Sequence, residues 1–462
     1  MELLTSIHAV VGDAGLITGE DVAKRPADWL GQSHCGAMAI VRPRTTAELS
    51  AIMKLCHAAK QPVVPAGGLT GLVHGAECNH DEILISLERM RTIEAIDPIG
   101  RTMTVEAGVP LQSVHDTAAT HDLIYGVDLG ARGSCTIGGN ISTNAGGNTV
   151  IRYGMTRENI LGLEAVLADG RVVTSMNSLL KNNTAYDLKQ LFIGSEGTLG
   201  IVTRAVLRLQ PAPRSDATAI LAIDSFEKLT QFFAHVSKRF GSLLRSFEVM
   251  WDNYYQMIGV DSGRHLPPLA AGHKFYVIVE AAGVDPERDE ALFTEVLSEA
   301  LELELAADAV LATSKAQRDS IWAIREDIEG QIKAMMPGIA FDVSLPIMCM
   351  QDYVNVLQDK LASACGEQSM MAVFGHIGDG NLHLLVAPRP WSEEAHHRAE
   401  QMVYEPLPAL QGSVSAEHGI GLDKKDWLPL SRSPEEIELM RHLKTALDPS
   451  NLLNRGKLFL EP

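Results

Sequence analysis

A glycine-rich stretch in the first half of the chain restricts the fold more than any other feature of the sequence. Residues 133–147 include five glycines and two asparagines. Glycine inside a helix or strand costs about 0.5–1 kcal/mol relative to alanine, so this composition is unfavourable within regular secondary structure. It suits a backbone that offers N–H groups to a large polar ligand, such as a pyrophosphate joined to a flat heteroaromatic ring. The alternative is an unusually long glycine-rich surface loop.

Two further segments have the same glycine-rich character. Residues 65–75 read Pro-Ala-Gly-Gly-Leu-Thr-Gly-Leu-Val-His-Gly, and residues 194–200 read Gly-Ser-Glu-Gly-Thr-Leu-Gly. No segment forms the strand–Gly-x-Gly-x-x-Gly–helix unit of a Rossmann domain, and none is a Gly-x-x-x-x-Gly-Lys-Ser/Thr P-loop. Phosphate binding is therefore expected from loops between strands.

Size, charge and cysteine spacing limit the class of protein. The length of 462 residues favours two domains, and the formal charge of −19 argues against nucleic acid and anionic membrane surfaces. No apolar run reaches the length of about 18 residues that a membrane-spanning helix needs. The six cysteines are widely spaced, and the start of the chain lacks a signal-peptide pattern. We therefore expect a cytoplasmic protein with reduced thiols.

Local patterns predict an α+β protein with a boundary near residue 213. Residues 163–173 are expected to form a hairpin that turns at Asp169-Gly170. The segment Pro211-Ala-Pro213 ends the first region, and longer alternation of strands and helices follows it. That second region includes a strand at 246–250 and one helix at 316–335.

A second group of residues has the composition of a metal site. His376 and His383 flank the turn residues Gly-Asp-Gly-Asn, so a hairpin would bring their imidazoles close enough to share one ion. Glu417, in Ser-Ala-Glu-His-Gly, offers a third ligand. Two imidazoles and one carboxylate leave open positions on Zn²⁺, Mn²⁺ or Fe²⁺, as a catalytic site requires. The alternative is a pair of hydrogen-bonded or surface histidines.

These motifs, with the segments 181–200 and 454–457, resemble the FAD-linked oxidase family, which has the vanillyl-alcohol-oxidase (PCMH-type) FAD domain. The sequence is most similar to the D-2-hydroxyglutarate and D-lactate dehydrogenase branch. The resemblance covers nearly the whole chain. It implies a two-subdomain FAD-binding domain at 1–213, an α+β cap (substrate) domain with an antiparallel sheet at 214–411, and a segment at 412–462 that packs back on the FAD domain.

The resemblance also implies which residues bind FAD. Some relatives attach FAD covalently to a histidine directly after the Gly-Gly of the first loop, where this chain has Leu69, so non-covalent FAD is expected. The residues expected to contact FAD are Pro65, Ala66, Gly67, Gly68, Leu69, Thr70, Gly71, Gly75, Gly133, Ser134, Gly138, Gly139, Asn140, Thr143, Asn144, Gly146, Gly147, Arg152, Tyr153, Gly154, Glu196, Gly197, Gly200, Ile201, Asn454 and Lys457.

The same resemblance assigns the chemistry. His376, His383 and Glu417 are expected to bind a divalent metal, with Zn²⁺ favoured over Mn²⁺ or Fe²⁺. Arg325 and Asn381, together with the two histidines, are expected to bind the substrate, because a guanidinium can hold both oxygens of a carboxylate. His418 is the candidate general base, which would take the hydroxyl proton as hydride leaves C2 for flavin N5.

Two positions depart from the pattern of the D-2-hydroxyglutarate enzymes. Ala340 stands where those enzymes carry a lysine for the second carboxylate, and Glu329 stands where they carry a threonine. Losing a cation and gaining an anion disfavours a dicarboxylate. D-Lactate-like acids, or a longer D-2-hydroxyacid, are therefore as well supported here as D-2-hydroxyglutarate.

Partners and competing functions complete the expectations. The substrate is a small 2-hydroxycarboxylate, and electrons are expected to pass to a separate acceptor, an electron-transfer flavoprotein or a quinone. A homodimer is compatible with the sequence. The alternative is a non-catalytic FAD subunit of a glycolate-oxidase-like complex, and His376, His383, Glu417 and Arg325 together argue against it. A flavin oxidase of alcohols or aromatic substrates is disfavoured by the charged pocket.

Overall fold

Strands and helices are distributed along the whole described part of the chain. The computed structural model describes residues 2–29 and 34–460. The strands are β1 (Leu16–Thr18), β2 (Ala39–Val41), β3 (Val63–Ala66), β4 (Ile83–Ser86), β5 (Ile93–Asp97), β6 (Thr102–Glu106), β7 (Leu123–Tyr125), β8 (Ile160–Val166), β9 (Val172–Ser175), β10 (Ile201–Pro211), β11 (Ser215–Ile223), β12 (Leu244–Trp251), β13 (Phe275–Gly283), β14 (Asp308–Leu311), β15 (Ile339–Ser344), β16 (Met370–Gly375) and β17 (Asn381–Ala387).

The helices are of mixed length. They are α1 (Glu2–Val11), α2 (Glu20–Ala23), α3 (Thr46–Ala59), α4 (Leu111–Ala119), α5 (Ile137–Thr143), α6 (Val150–Tyr153), α7 (Lys189–Phe192), α8 (Phe226–Phe240), α9 (Asp252–Tyr254), α10 (Pro286–Glu302), α11 (Lys315–Arg325), α12 (Ile328–Met335), α13 (Met350–Cys365), α14 (Glu393–Tyr404) and α15 (Pro434–Leu447).

The chain divides into two compact units. The first contains Met1–Gly147, Tyr153–Ala212 and Glu417–Pro462, and the second contains Asn148–Arg152 and Pro213–Ala416. The first unit is therefore built from three separate stretches of the sequence, and its last stretch begins at Glu417.

The first unit contains two sheets. One has the order β1-β2-β4-β3, in which β4 pairs in parallel with β2 and β3 while β1 is antiparallel to β2. The other has the order β5-β6-β10-β8-β9, with β7 pairing to the end of β10, and it is antiparallel throughout. The predicted hairpin with a turn at Asp169-Gly170 is confirmed, because Val166 pairs with Val172 across the turn.

The second unit is built on one seven-stranded antiparallel sheet with the order β14-β11-β13-β12-β16-β17-β15. All residues of the interior strand β13 are buried, because helices cover both faces. Helices α8 and α10 pack against each other and against β11 and β13. The opposite face packs on Ile321, Trp322 and Ile324 of α11. The predicted α+β class, with an antiparallel sheet in the second region, is confirmed.

The single helix predicted at 316–335 is wrong, because the chain forms α11 and α12 instead. Asp327 lies between them and caps α12, since its carboxylate accepts a hydrogen bond of 2.9 Å from the N–H of Gly330. The same carboxylate pairs with Arg264 at 2.7 Å and with His265 at 2.8 Å. Burial raises the pKa of Asp327, but hydrogen bonds from Arg264, the Gly330 N–H and His265 outweigh burial and hold it at about 2.

The charge of Asp327 is predicted to stabilise the second unit. Asparagine keeps a side-chain acceptor for the cap but loses the ionic partner of Arg264. We expect Asp327→Asn to lower the free energy of unfolding by about 2 kcal/mol at pH 7, measured by urea denaturation. The pKa of Asp327 is lowered on folding. The difference in unfolding free energy between the wild type and Asp327→Asn should therefore stay constant above about pH 5 and become smaller below about pH 4.

The matched control for this prediction is Asp285→Asn. Asp285 caps α10 through the N–H of Arg288, it is exposed, and no ion pair to it is found among the described residues. We expect Asp285→Asn to change the free energy of unfolding by less than about 0.5 kcal/mol. Equal losses in the two variants would show that the cap, and not the ion pair with Arg264, accounts for the effect.

Candidate active site

In the first unit, the two longest glycine-rich segments lie against each other. A Cβ atom on Gly68 would stand 2.0 Å from the carbonyl oxygen of Ser134, and one on Gly67 would stand 2.5 Å from Oγ1 of Thr136. Thr136 is the N-cap of α5, where its hydroxyl accepts a hydrogen bond from the N–H of Gly139. These glycines are therefore required by backbone packing within the protein.

Other glycines in the same segments face open space. A Cβ atom on Gly71 or on Gly133 would meet no protein atom within 4 Å. At the end of the first segment, Asn454 donates from its amide nitrogen to the carbonyl oxygens of Gly75, at 3.2 Å, and Glu196, at 2.7 Å. Its amide oxygen is buried and finds no hydrogen-bond partner among the described residues. Open glycines beside an unsatisfied buried acceptor fit a site for a polar ligand.

Three residues predicted to contact FAD direct their side chains to protein groups. Lys457 is buried and donates from Nζ to the carbonyl oxygen of Glu77 at 2.7 Å. Arg152, which belongs to the second unit, donates to the carbonyl oxygens of Ala282, at 2.6 Å, and Leu243. Ile201 packs in the hydrophobic core. Any contact of Ile201 with the cofactor would use its backbone.

Glu196 is also turned to protein groups, and it holds the segment that follows His418. Its carboxylate oxygens accept hydrogen bonds of 2.8 Å from the N–H groups of Ile420 and Gly421. Burial raises the pKa of Glu196, while these two N–H groups and Lys424 lower it. Because burying a carboxylate is costly unless it is hydrogen-bonded, the two N–H groups explain why this one is tolerated. In the same segment, Glu417 and His418 offer ligand atoms within 4.8 Å of each other.

In the second unit, the predicted histidine hairpin is confirmed. β16 and β17 pair with Phe374 opposite His383, and His376 directly follows β16. The imidazole centroids of His376 and His383 lie 5.3 Å apart. Both side chains are buried. This spacing allows one nitrogen of each ring to approach a common ion.

A row of facing residues crosses the sheet at this point. Phe374 lies opposite Met250 of β12 on one side and His383 on the other, and His383 lies opposite Asp342 of β15. Asp342 and His383 offer ligand atoms within 4.8 Å of each other. Side chains alternate between the faces of a strand, so Glu248, two residues before Met250, shares this face.

Arg325 at the end of α11 completes the row. Its Nε donates to Oε2 of Glu248 at 3.0 Å, and its Nη2 donates to Nε2 of His376 at 3.2 Å. The guanidinium carbon lies 4.3 Å from the ring centre of Phe374, which adds a cation–π contact. Burial raises the pKa of Glu248 to about 8, although Arg325 acts in the opposite direction. Arg325 is thus held by three contacts in a buried position, where it could bind a carboxylate.

Asn381 and Asp342 lie on either side of this group. The amide oxygen of Asn381 is buried and has no hydrogen-bond partner among the described residues, so it is available to a ligand. Asp342 is fully buried, and its Oδ2 accepts hydrogen bonds from Oγ of Ser415 at 3.2 Å and from the N–H of Ala416 at 3.0 Å. Ala416 directly precedes Glu417, so Asp342 fixes the start of the segment with the predicted ligands.

The sequence reasoning missed Glu248 and Asp342. Each is an acidic residue on the inward face of an apolar strand, in Phe247-Glu248-Val249 and Phe341-Asp342-Val343. A charge at a position that strand alternation places in the core was the available signal, because buried charges are rare without a partner or a function.

The two positions that depart from the pattern of the D-2-hydroxyglutarate enzymes, Ala340 and Glu329, have different surroundings in the structure. Ala340 lies two residues before Asp342 in β15, opposite Leu385, and shares the face of His383. Glu329 is 63% exposed and pairs with Arg264 and Lys333, each at 2.9 Å. The negative charge of Glu329 is therefore balanced by two cations at the surface.

Both units match one family. Residues 37–175 match the FAD binding domain, and residues 212–458, more than half of the chain, match the C-terminal domain of FAD linked oxidases. The chain therefore belongs to the FAD-linked oxidase family. Within it, the chain falls in the branch of D-2-hydroxyglutarate and D-lactate dehydrogenases, as the sequence motifs predicted.

Several curated relatives align over most of the chain. The D-2-hydroxyglutarate dehydrogenase of Xanthomonas citri pv. viticola is 40% identical over 437 residues, with 94% of this chain and 91% of the relative covered. The mitochondrial D-2-hydroxyglutarate dehydrogenase of Bos taurus is 37% identical over 455 residues, covering 98% and 83%. The D-2-hydroxyglutarate–pyruvate transhydrogenase of Saccharomyces cerevisiae is 34% identical over 445 residues, covering 95% and 90%.

A solved structure supports the fold. Substrate-bound p-cresol methylhydroxylase superposes with a TM-score of 0.77, covering 100% of this chain and 96% of that one, at 15% identity. At this identity the likeness concerns the fold alone. It confirms the predicted PCMH-type fold.

The expectation of a cytoplasmic protein is wrong. The relatives from Bos taurus, Rattus norvegicus and Arabidopsis thaliana are named as mitochondrial. Widely spaced cysteines argue only against a disulfide framework, and they do not distinguish one reducing compartment from another. Among the described residues, no helix has the length and hydropathy needed to cross a membrane.

The contact between the glycine-rich segments is predicted to control FAD binding. In Gly68→Ala, the added methyl group would force the Ser134 carbonyl away, which should destabilise the first unit by about 1–3 kcal/mol or more. We expect a lower melting temperature and less than about a tenth of the wild-type FAD content, since overpacking here separates the two segments. The ratio of flavin to protein absorbance measures FAD content.

Gly130→Ala is the matched control, because a Cβ atom there would meet nothing within 4 Å. It should keep wild-type FAD content and melting temperature. If Gly68→Ala behaved like this control, the close approach of Gly68 to Ser134 would be contradicted.

Proposed function

We propose that this chain is an FAD-dependent D-2-hydroxyacid dehydrogenase that oxidises a D-2-hydroxy acid to the 2-oxo acid. The observation that carries the proposal is the buried group of Arg325, His376 and His383 on the sheet of the second unit. A fixed guanidinium beside two imidazoles suits an α-hydroxycarboxylate, which presents a carboxylate next to a hydroxyl group. The names of the relatives, which refer to D-2-hydroxy acids, support the same class of substrate.

Substrate binding is assigned to Arg325 and Asn381. Arg325 would bind the C1 carboxylate through its Nη groups, while Glu248 and Phe374 hold the guanidinium plane. The unsatisfied amide oxygen of Asn381 would accept a hydrogen bond from the substrate. A buried polar atom without a partner gains most from a ligand, because leaving it unpaired costs about 1–3 kcal/mol.

The metal is assigned to His376, His383 and Glu417, with Zn²⁺ favoured over Mn²⁺ or Fe²⁺. Arg325 has only donors, so Nε2 of His376 is the ring nitrogen without a proton and accepts this hydrogen bond. A metal bound at Nε2 would take the place of the Arg325 donor. Asp342 fixes Ala416, the residue before Glu417. Bound FAD supplies a hydride acceptor, and the metal supplies a Lewis acid that lowers the pKa of the substrate hydroxyl. His418 would take the hydroxyl proton as general base.

FAD binding is assigned to the first unit. The loop after β3 and the N-terminal part of α5 would bind the pyrophosphate through backbone N–H groups, with Gly71 and Gly133 lining the open space. Leu69 offers no nucleophile, so the cofactor would be non-covalent. Arg152 and Lys457 are assigned to the protein scaffold instead of direct flavin contact, because their side chains donate to carbonyl groups. Reduced FAD would pass its electrons to a separate acceptor.

Anaerobic reduction of the flavin tests this function. We expect a D-2-hydroxy acid, among D-lactate, D-malate and D-2-hydroxyglutarate, to bleach the flavin absorbance of the metal-loaded protein. L-Lactate should not, and treatment with EDTA should abolish bleaching because the hydroxyl then keeps its high pKa. His418→Asn should retain FAD and reduce it more than about 100-fold more slowly, as expected for the loss of a general base.

His397→Asn is a control for the histidine substitution, because the exposed side chain of His397 lies on helix α14 and pairs with Glu400. It should reduce its flavin at the wild-type rate. Wild-type reduction in His418→Asn would overturn the assignment of the base. No bleaching by any of the acids, with FAD and metal present, would favour the non-catalytic subunit.

The residue at position 340 is predicted to select the substrate. Ala340 shares the face of His383, so Ala340→Lys would place a cation beside the proposed site. We expect this variant to lower KM for D-2-hydroxyglutarate relative to D-lactate by about 10-fold, which corresponds to about 1.4 kcal/mol. Steady-state kinetics with both acids measures the ratio.

Ala340→Met controls for size at this position, because methionine is long but uncharged. Ala340→Met should not lower KM for D-2-hydroxyglutarate relative to KM for D-lactate. An equal gain in both variants would show that side-chain volume, and not charge, determines the preference.

A further inference from the structure

Glu248 is a buried carboxylate that the proposed chemistry does not use directly. It lies in β12 between Phe247 and Val249 and is only 1% exposed. Burying a carboxylate in an apolar sheet is expensive unless it is paired and hydrogen-bonded. Its presence therefore needs an explanation in the contacts that it makes.

Each oxygen of Glu248 faces a different residue of the candidate site. Oε2 accepts the hydrogen bond from Nε of Arg325 at 3.0 Å. Oε1 lies 3.2 Å from Nδ1 of His376, although no aligned hydrogen bond to this oxygen is found among the described residues. The carboxyl group of Glu248 thus contacts both Arg325, which is proposed to bind the substrate, and His376, which is proposed to bind the metal.

These contacts define the state of His376. Arg325 donates from Nη2 to Nε2 of the imidazole, so Nε2 carries the electron pair. The ring proton then belongs on Nδ1, which faces the carboxylate of Glu248. A carboxylate behind a ligand histidine fixes the tautomer and the ring orientation and makes the other nitrogen a better metal ligand.

We propose that Glu248 is a positioning residue that presents Nε2 of His376 to the metal and holds Arg325 for the substrate carboxylate. This inference rests on the proposed function and assigns a residue to the site. It predicts that replacing the carboxyl group of Glu248 weakens both metal binding and substrate binding while FAD, which is bound by the other unit, stays in place.

Glu280 provides a matched control on the same sheet. It is also 1% exposed, it lies in the neighbouring strand β13, and its partners are Arg318, Trp322 and Thr218. None of these three residues is assigned to substrate, metal or FAD. Glu248→Gln and Glu280→Gln therefore replace equally buried carboxyl groups, but only the first change reaches the site.

The test measures zinc affinity of the FAD-loaded protein by competition with a chromophoric chelator, together with FAD content and steady-state kinetics. We expect Glu248→Gln to raise the Kd for Zn²⁺ by about 10–100-fold, the usual effect of losing such a partner. KM for the D-2-hydroxy acid should rise as well, with FAD content unchanged. Glu280→Gln should lower the melting temperature and leave the zinc Kd within about twofold of wild type.

Three outcomes would overturn the inference. Wild-type zinc affinity and KM in Glu248→Gln would rule out the positioning role of Glu248 and leave the proposed function intact. An equal loss of zinc affinity in Glu280→Gln would show a general effect of the sheet. A wild-type protein that binds no Zn²⁺ would remove the metal assignment and the role of Glu248 with it.

A second variant covers a failure of Glu248→Gln to fold. Glu248→Asp keeps the charge and shortens the side chain by one methylene, which withdraws the carboxylate from His376 and Arg325. It should also raise the zinc Kd. Wild-type zinc affinity in this variant would overturn the inference.

Discussion

The antiparallel register of β12, β16 and β17 is the constraint on which the candidate site depends. It places Met250 opposite Phe374 and Phe374 opposite His383, so that the residues of this face meet in one row. A slip of one residue in either pair would turn the inward side chains to the other face. The charges on this face can be buried only because each meets a partner, as Glu248 and Arg325 do. Register and charge pairing therefore support each other.

Glycine serves two different purposes in the first unit. Gly67 and Gly68 have no room for a side chain, because the neighbouring segment with Ser134 and Thr136 occupies that space. A Cβ atom on Gly71 or Gly133 would meet no protein atom within 4 Å, so the lack of a side chain leaves the backbone accessible there. Composition alone indicates a close approach of the backbone, but only coordinates distinguish an approach to the protein from one to a ligand. Some glycines of these segments thus allow close packing of the backbone, and others leave the backbone accessible to a ligand.

Local features were predictable from the sequence, and long-range ones were not. The hairpins at Asp169-Gly170 and between His376 and His383 follow from turn residues and short spacings, and both are present. The pairing of Glu248 with Arg325 joins residues 77 apart in sequence, and no spacing rule reports such a contact. The break between α11 and α12 was missed because the capping role of Asp327 was overlooked within an otherwise helical pattern. The roles of residues such as Arg325 and His418 could not be derived from local sequence patterns, and they were assigned from the family resemblance.

The segment with Glu417 and His418 is held at both ends by buried carboxylates. Within the second unit, Asp342 accepts a hydrogen bond from the N–H of Ala416. Within the first unit, Glu196 accepts hydrogen bonds from the N–H groups of Ile420 and Gly421. Backbone N–H groups are strong donors to a carboxylate, so each anchor fixes the main chain without using the side chains between them. Glu417 and His418 are thus positioned by the path of the backbone on either side of them.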